Sequence, residues 1–162
     1  FKDMAIHDFD MARWMLGEEP SEVFAAGACL VDPQIGKLGD IDAAKTILRT
    51  LSGKICVISN SRRSGYGYDQ RIEAFGSAGA LRAGNVTEST VEAWTERGAQ
   101  ADQFQNFFLD RYAAAYKHEM AHFADMLVRN VPAQIGYRDG VAALALATAA
   151  QASMIANAPI QL

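Results

Sequence analysis

Cysteine is scarce in this sequence. Its 162 residues carry two, Cys29 and Cys56. Each sits in an apolar run ("AAGACLV", "GKICVIS") with no CxxC or metal-type spacing, so both read as buried thiols that require no disulfide. Positive charge is also short: 15 Lys and Arg stand against 19 Asp and Glu, for a net charge of -4. The basic residues are scattered, which excludes the clustered charge of a nucleic-acid or anionic-membrane binder. Their longest cluster, Arg62-Arg63, borders Gly65-Tyr66-Gly67-Tyr68 and reads as a turn flank. No apolar run approaches the roughly 20 residues of a membrane span, and "FKDMAIHD" lacks the charged head and apolar stretch of a signal peptide. A cytoplasmic protein without nucleic-acid or membrane partners is expected. Nucleotide-cradling glycines are missing as well. "GYGYDQ" has Gln70 where the last glycine is needed, "GSAGALRAG" has the wrong spacing, and there is no P-loop.

Half of the residues are hydrophobic, enough for one domain over 1–162 with a real core. The chain opens almost inside an amphipathic helix without an initiator methionine, and reads as a piece of something longer. Apolar spacing predicts that helix over 3–16, stopped by Gly17 and the Glu-Glu-Pro turn at 18–20. "SEVFAAGACLV" has strand composition, and 32–40 is a Gly/Pro-punctuated loop. Residues 42–51 satisfy helix and strand patterns alike; the strand is preferred because "KICVISNSRR" follows through Ser52-Gly53 as a hairpin partner. "GYDQRIEAFG", "GALRAGN" and "STVEAWTE" add further strands. From about Asp102 the period changes to that of one long helix ending before Val131-Pro132, then an Ala-rich helix over "RDGVAALALATAAQASMIAN". Strands segregated from helices predict an α+β fold: an open, largely antiparallel sheet of five or six strands with helices on one face. Its other face, if apolar, needs a cover.

The chemically loaded stretch is "DMAIHDFDMARW". Helical spacing puts Asp3, His7, Asp10 and Trp14 on one stripe, with Ala5, Ile6, Phe9, Ala12 and Leu16 largely on another. A histidine next to carboxylates can take a proton from an alcohol near neutral pH. The plain alternative is a solvated first turn whose acids favour the helix dipole. "HEMAH" fits the HExxH zinc pattern through His118, Glu119 and His122, which would point to a metal-dependent hydrolase. Against it, the third histidine is His7, far away in the chain. Tyr66 and Tyr68 would share a face if the segment were extended, and their hydroxyls could bind a polyol or simply pack.

These segments, with "SGYGYDQRIEAFGSAGAL", "FFLDRYAAAYKHEMAHFADML" and "DGVAALALATAAQAS", resemble the C-terminal part of the glucose-fructose oxidoreductase and inositol dehydrogenase family, inositol 2-dehydrogenases among them. The resemblance covers essentially the whole chain, and DxxxHDxD is its specific part. It implies a substrate-binding and oligomerisation domain of an NAD-dependent polyol oxidoreductase whose Rossmann domain is absent here, so that the fragment alone is inactive. His7 would take the substrate proton, Asp3 would orient His7 or the substrate, and Asp10 and Tyr66 would bind the polyol. NAD would be held by the missing domain, with no cofactor-binding and no metal residue in this chain. The family's Glu-Lys-Pro lysine has no match, and Lys2 is not its equivalent. The resemblance also implies a homo-oligomer, dimer or tetramer, formed through the open sheet face, and makes the HEMAH helix structural.

Overall fold

Alternation of side chains decides the central strands. In the computed structural model, which describes residues 1–162, the chain runs α1 (Ala5–Leu16), β1 (Pro20–Ala28), α2 (Pro33–Lys37), β2 (Ala43–Thr50) and β3 (Ile55–Ser61). On β2, Ala44, Thr46, Leu48 and Thr50 are buried while Lys45, Ile47 and Arg49 are exposed. β1 pairs antiparallel with β2 (Val23 opposite Leu48), and β2 with β3 (Leu48 opposite Cys56). The β2–β3 link turns at Gly53, whose φ of 90° suits a residue without Cβ.

The chain continues through β4 (Ile72–Gly76), β5 (Gly79–Ala83), β6 (Glu92–Thr95), β7 (Gly98–Ala101), α3 (Phe108–Arg111), α4 (Ala113–Arg129), α5 (Tyr137–Ala156) and β8 (Ile160–Gln161). It packs as two compact units, Phe1–Arg63 with Gln134–Leu162, and Ser64–Ala133.

In the first unit the sheet order is β3-β2-β1-β8. The helices α1 and α5 lie on one face, and Phe9, Val23, Leu48, Leu146, Ala147 and Ala150 interlock there. Burying Phe9 completely is worth roughly 2–3 kcal/mol. The alanines of α5 let its backbone approach β1 closely. The opposite sheet face stays open, with Ile55 and Val57 each 64% exposed and Ile47 beside them. The expected architecture, an antiparallel sheet with helices on one face, is therefore present.

Several details differ from the sequence reading. The later strands do not extend the sheet; β4–β5 and β6–β7 are separate two-stranded hairpins of the second unit. Their residues are nearly all exposed, so no buried face holds them to a larger sheet. β7, not anticipated, is the partner of the "STVEAWTE" strand. The long helix is interrupted at Tyr112, which leaves helical geometry between α3 and α4. The 32–40 loop contains α2, capped by Asp32 accepting from the Gln34 N–H at 2.9 Å. Finally, α5 is by length and composition apolar enough to cross a bilayer, which the sequence reading overlooked because Arg138, Asp139, Thr148 and Gln151 break its apolar run. In this fold one side of it is buried against β1 and α1.

Candidate active site

The site begins with how α1 is held. Ala5, Phe9 and Ala12 are buried, so the stripe opposite faces away from the core. The helix stops at Gly17 (φ 60°), whose N–H donates to Arg13 O at 3.0 Å. Arg13, 12% exposed, then locks the end of the helix: it donates to Asp10 Oδ1 at 2.9 Å, to both Glu19 oxygens at 2.7 and 2.6 Å, and to Asp139 O at 3.3 Å on α5. The Glu19 hydrogen bonds, above all, hold the Arg13 pKa above its ordinary value.

This frame distributes the predicted residues differently from a single stripe. His7 is exposed on α1, with its backbone N–H donating to Met4 O at 3.3 Å. Asp3 precedes the helix and forms an ion pair with Arg62 beyond the end of β3, Nη2 to Oδ2 at 2.7 Å. Asp10 is engaged by Arg13. Tyr66 belongs to the second unit and lies in a turn rather than a strand. Gly67, at φ 121°, redirects the chain there, so Tyr66 packs edge-on to Phe104 while Tyr68 packs on Tyr112. The two tyrosines do not share a face.

A cavity of about 400 Å³ opens beside Asp3 in the first unit. Lys2, Asp3, Asn60 and Arg62 give it polar walls, and Ile41 and Met154 apolar ones. Gly27 lets those apolar walls close: a Cβ there would lie 2.4 Å from Ile41 Cδ1 and 2.7 Å from Met154 Sδ. Asp42, also on the wall, shapes the adjoining loop by accepting from the N–H groups of Leu30, Val31 and Asp32 at 2.7, 2.8 and 2.8 Å. The bonds from Asp32 and Leu30 lead in lowering its pKa to about 2.

Sequence reasoning missed Asp8. It lies at the edge of the buried face of α1 and accepts from Asn60 Nδ2 at 2.7 Å. Burial raises its pKa, opposed by the Asn60 bond and the charge of His7. A carboxylate three residues after Ala5 and four before Ala12 was the available signal. Asn60 Oδ1 is itself buried without a partner beside the cavity.

The geometry bears on two ligands that the sequence reading placed outside this chain or set aside, a dinucleotide and a metal ion. The four-stranded sheet is wholly antiparallel, and no glycine-rich turn leads from a strand into a helix N-terminus, so these residues do not fit a dinucleotide pyrophosphate. On α4, His118 and Glu119 are exposed, and no three His, Cys, Asp or Glu side chains converge to hold a metal ion.

Comparison with known proteins decides the family. The family model described as GFO/IDH/MocA C-terminal domain matches residues 1–82. The chain belongs to this family. The myo-inositol 2-dehydrogenase of Thermotoga maritima is 49% identical over 154 residues, covering 95% of this chain and 46% of that protein. The crystal structure of a myo-inositol dehydrogenase from Corynebacterium glutamicum superposes with a TM-score of 0.94 at 42% identity, over 99% of this chain and 48% of the other. That of scyllo-inositol dehydrogenase from Lactobacillus casei, with bound NAD(H) and scyllo-inositol, gives 0.90 at 26% identity, over 98% and 47%. The chain thus spans about half the length of the relatives it matches.

Proposed function

We propose that this chain is the substrate-binding half of an NAD-dependent inositol 2-dehydrogenase, which oxidises a polyol hydroxyl to a ketone. The observation that carries the reading is an exposed histidine on α1, the helix whose first residue, Ala5, lines a polar-walled cavity together with Asp3, in a chain similar to inositol dehydrogenases. Oxidising a secondary alcohol removes a proton from oxygen and a hydride from carbon. NAD is the hydride acceptor in this reading, and the residues that hold it lie outside this chain.

Within the chain, His7 receives the hydroxyl proton. The Asp3–Arg62 pair fixes one edge of the polyol's cavity. Asp10, held by Arg13, offers a hydrogen bond to a further hydroxyl. On the second unit, Tyr66 is a polyol ligand in the same reading. Asp8 anchors α1 to β3 through Asn60, and so sets where His7 stands. Holding reactants in place supplies much of such a rate, so the anchoring matters for turnover.

The same reading makes the whole of 1–162 a substrate-binding and oligomerisation domain, and pairs copies of the chain through the open sheet face of Ile47, Ile55 and Val57. Such a homo-oligomer would work in the cytoplasm in inositol breakdown. The test is NADH formation with a panel of inositol isomers and sugars, using a protein that joins this chain to its dinucleotide-binding half. Oxidation of inositols is expected. Failure with every polyol would remove the proposal.

A further inference from the structure

Tyr66 has a single phenolic proton, and the structure commits it. Asp69 accepts four hydrogen bonds: from Tyr66 Oη, from Arg71 Nε at 2.7 Å, from Arg71 Nη2 at 2.8 Å and from Asn85 Nδ2 at 2.8 Å. The orientation of the Asn85 amide is set independently, since its Oδ1 accepts from the Gln70 N–H at 2.8 Å. The forked Arg71 contact, more than the Tyr66 and Asn85 bonds, holds the Asp69 carboxyl far below the usual carboxylate range. An ionised carboxylate can only accept, so the proton in the Tyr66–Asp69 bond belongs to Tyr66.

What remains on the phenol oxygen is lone-pair density, part of it engaged by the Arg71 guanidinium, which also donates to Tyr66. Tyr66 is 56% exposed, is held from one side by Phe104, and lines an open hollow of about 600 Å³ with Glu88, Asp102 and Asn106. We infer that Asp69 is a positioning residue that makes the Tyr66 hydroxyl a hydrogen-bond acceptor toward a polyol, selecting at that point a ligand hydroxyl that donates. The inference rests on the proposed role of Tyr66 in polyol binding, and adds the sense of its hydrogen bond and the residues that fix it. A tyrosine free to rotate would accept or donate indifferently; this one discriminates.

The experiment has two arms. In the first, the protein is labelled with tyrosine carrying ¹³C at Cζ, and the Tyr66 resonance is assigned from Tyr66→Phe. It is expected to move in Asp69→Ala and to stay in place in Glu73→Gln. In the second, deoxy and deoxyfluoro inositols are compared in the NAD-linked assay, because carbon-bound fluorine cannot donate. For one ring position the fluoro compound should be as poor as the deoxy compound in the wild type, with KM raised about tenfold and kcat little changed. Asp69→Ala, and Asp69→Leu, which also lacks an acceptor, if the first variant folds poorly, frees the phenol to donate and should restore the fluoro compound relative to the deoxy one.

Tolerance of fluorine at every position, or an unchanged ranking in the Asp69 variants, overturns the inference. So does a Tyr66 resonance indifferent to Asp69 in an enzyme that oxidises inositol, which leaves the functional reading intact. If no polyol is oxidised both fall, and the resonance then reports on the Tyr66–Asp69 bond alone.

Discussion

Replacing Ser153 with alanine tests how α5 is fastened to the sheet. Ser153 is completely buried, and its Oγ accepts from the Ala25 N–H at 3.0 Å and donates to Ala158 O at 2.7 Å. β8 borders β1 only at Glu22 and Val23, so Ala25 lies beyond its reach and the serine substitutes for a strand. Alanine leaves without these partners a buried donor, the Ala25 N–H, and a half-buried acceptor, the Ala158 carbonyl. At roughly 1–3 kcal/mol for the Ala25 N–H and about 1–2 kcal/mol for the half-buried Ala158 carbonyl, the loss is about 2–5 kcal/mol. For a chain of this size that lowers the melting temperature by about 4–20 °C. The control is Thr148→Ala on the same helix, where an exposed hydroxyl donates to Leu144 O at 2.9 Å; removing it should change stability by no more than about 0.5 kcal/mol. Thermal unfolding by circular dichroism measures both, and hydrogen exchange at the Ala25 amide should accelerate only in the Ser153 variant. Equal melting temperatures for the two variants would refute this account of the α5–β1 contact.

Other outcomes follow from the same structure. The Asp42 pKa is lowered from 3.8 to about 2, so its contribution to stability is present above the ordinary value and is lost as pH falls through about 2. Urea midpoints taken between those limits should fall with acid in the wild type, and less so in Asp42→Asn. Asp8 has the opposite sign. With its pKa raised by burial, its favourable contribution is complete below the unfolded value and fades as pH rises through the folded one. Asp8→Asn, able to accept from Asn60 through its amide oxygen, should therefore melt higher than the wild type at neutral pH, and the advantage should shrink in acid; a constant difference would count against burial as the cause. Gly67→Ala places a Cβ 2.9 Å from Phe104 Cβ at a φ of 121°. It should cost at least about 1–3 kcal/mol and raise KM for the polyol, because the Tyr66 turn must shift. Denaturant midpoints and initial rates check both effects.

Much of the first unit was legible because its signals are local. The spacing of Ala5, Phe9 and Ala12 gave the buried side of α1, and the alternation along 43–50 gave β2 once its hairpin partner was considered. The hairpins of the second unit were legible as strands but not as separate ribbons, since a period of two does not tell whether a face will be covered. Pairings across long separations were not legible. Asp3 meets Arg62 and Asp8 meets Asn60, more than fifty residues away, which no periodicity encodes. Tyr66 was identified as a candidate ligand, yet a single left-handed glycine turned it away from Tyr68 and toward Phe104 and Asp69.

The central claim is that His7 accepts the substrate proton. It is tested most directly by steady-state NADH formation from myo-inositol in the protein that joins this chain to its dinucleotide-binding half, with His7 intact and with His7→Ala. The account predicts a fall in kcat of about 10²- to 10⁴-fold, with KM within a few-fold and an unchanged melting temperature. Undiminished turnover in a folded His7→Ala enzyme would contradict it.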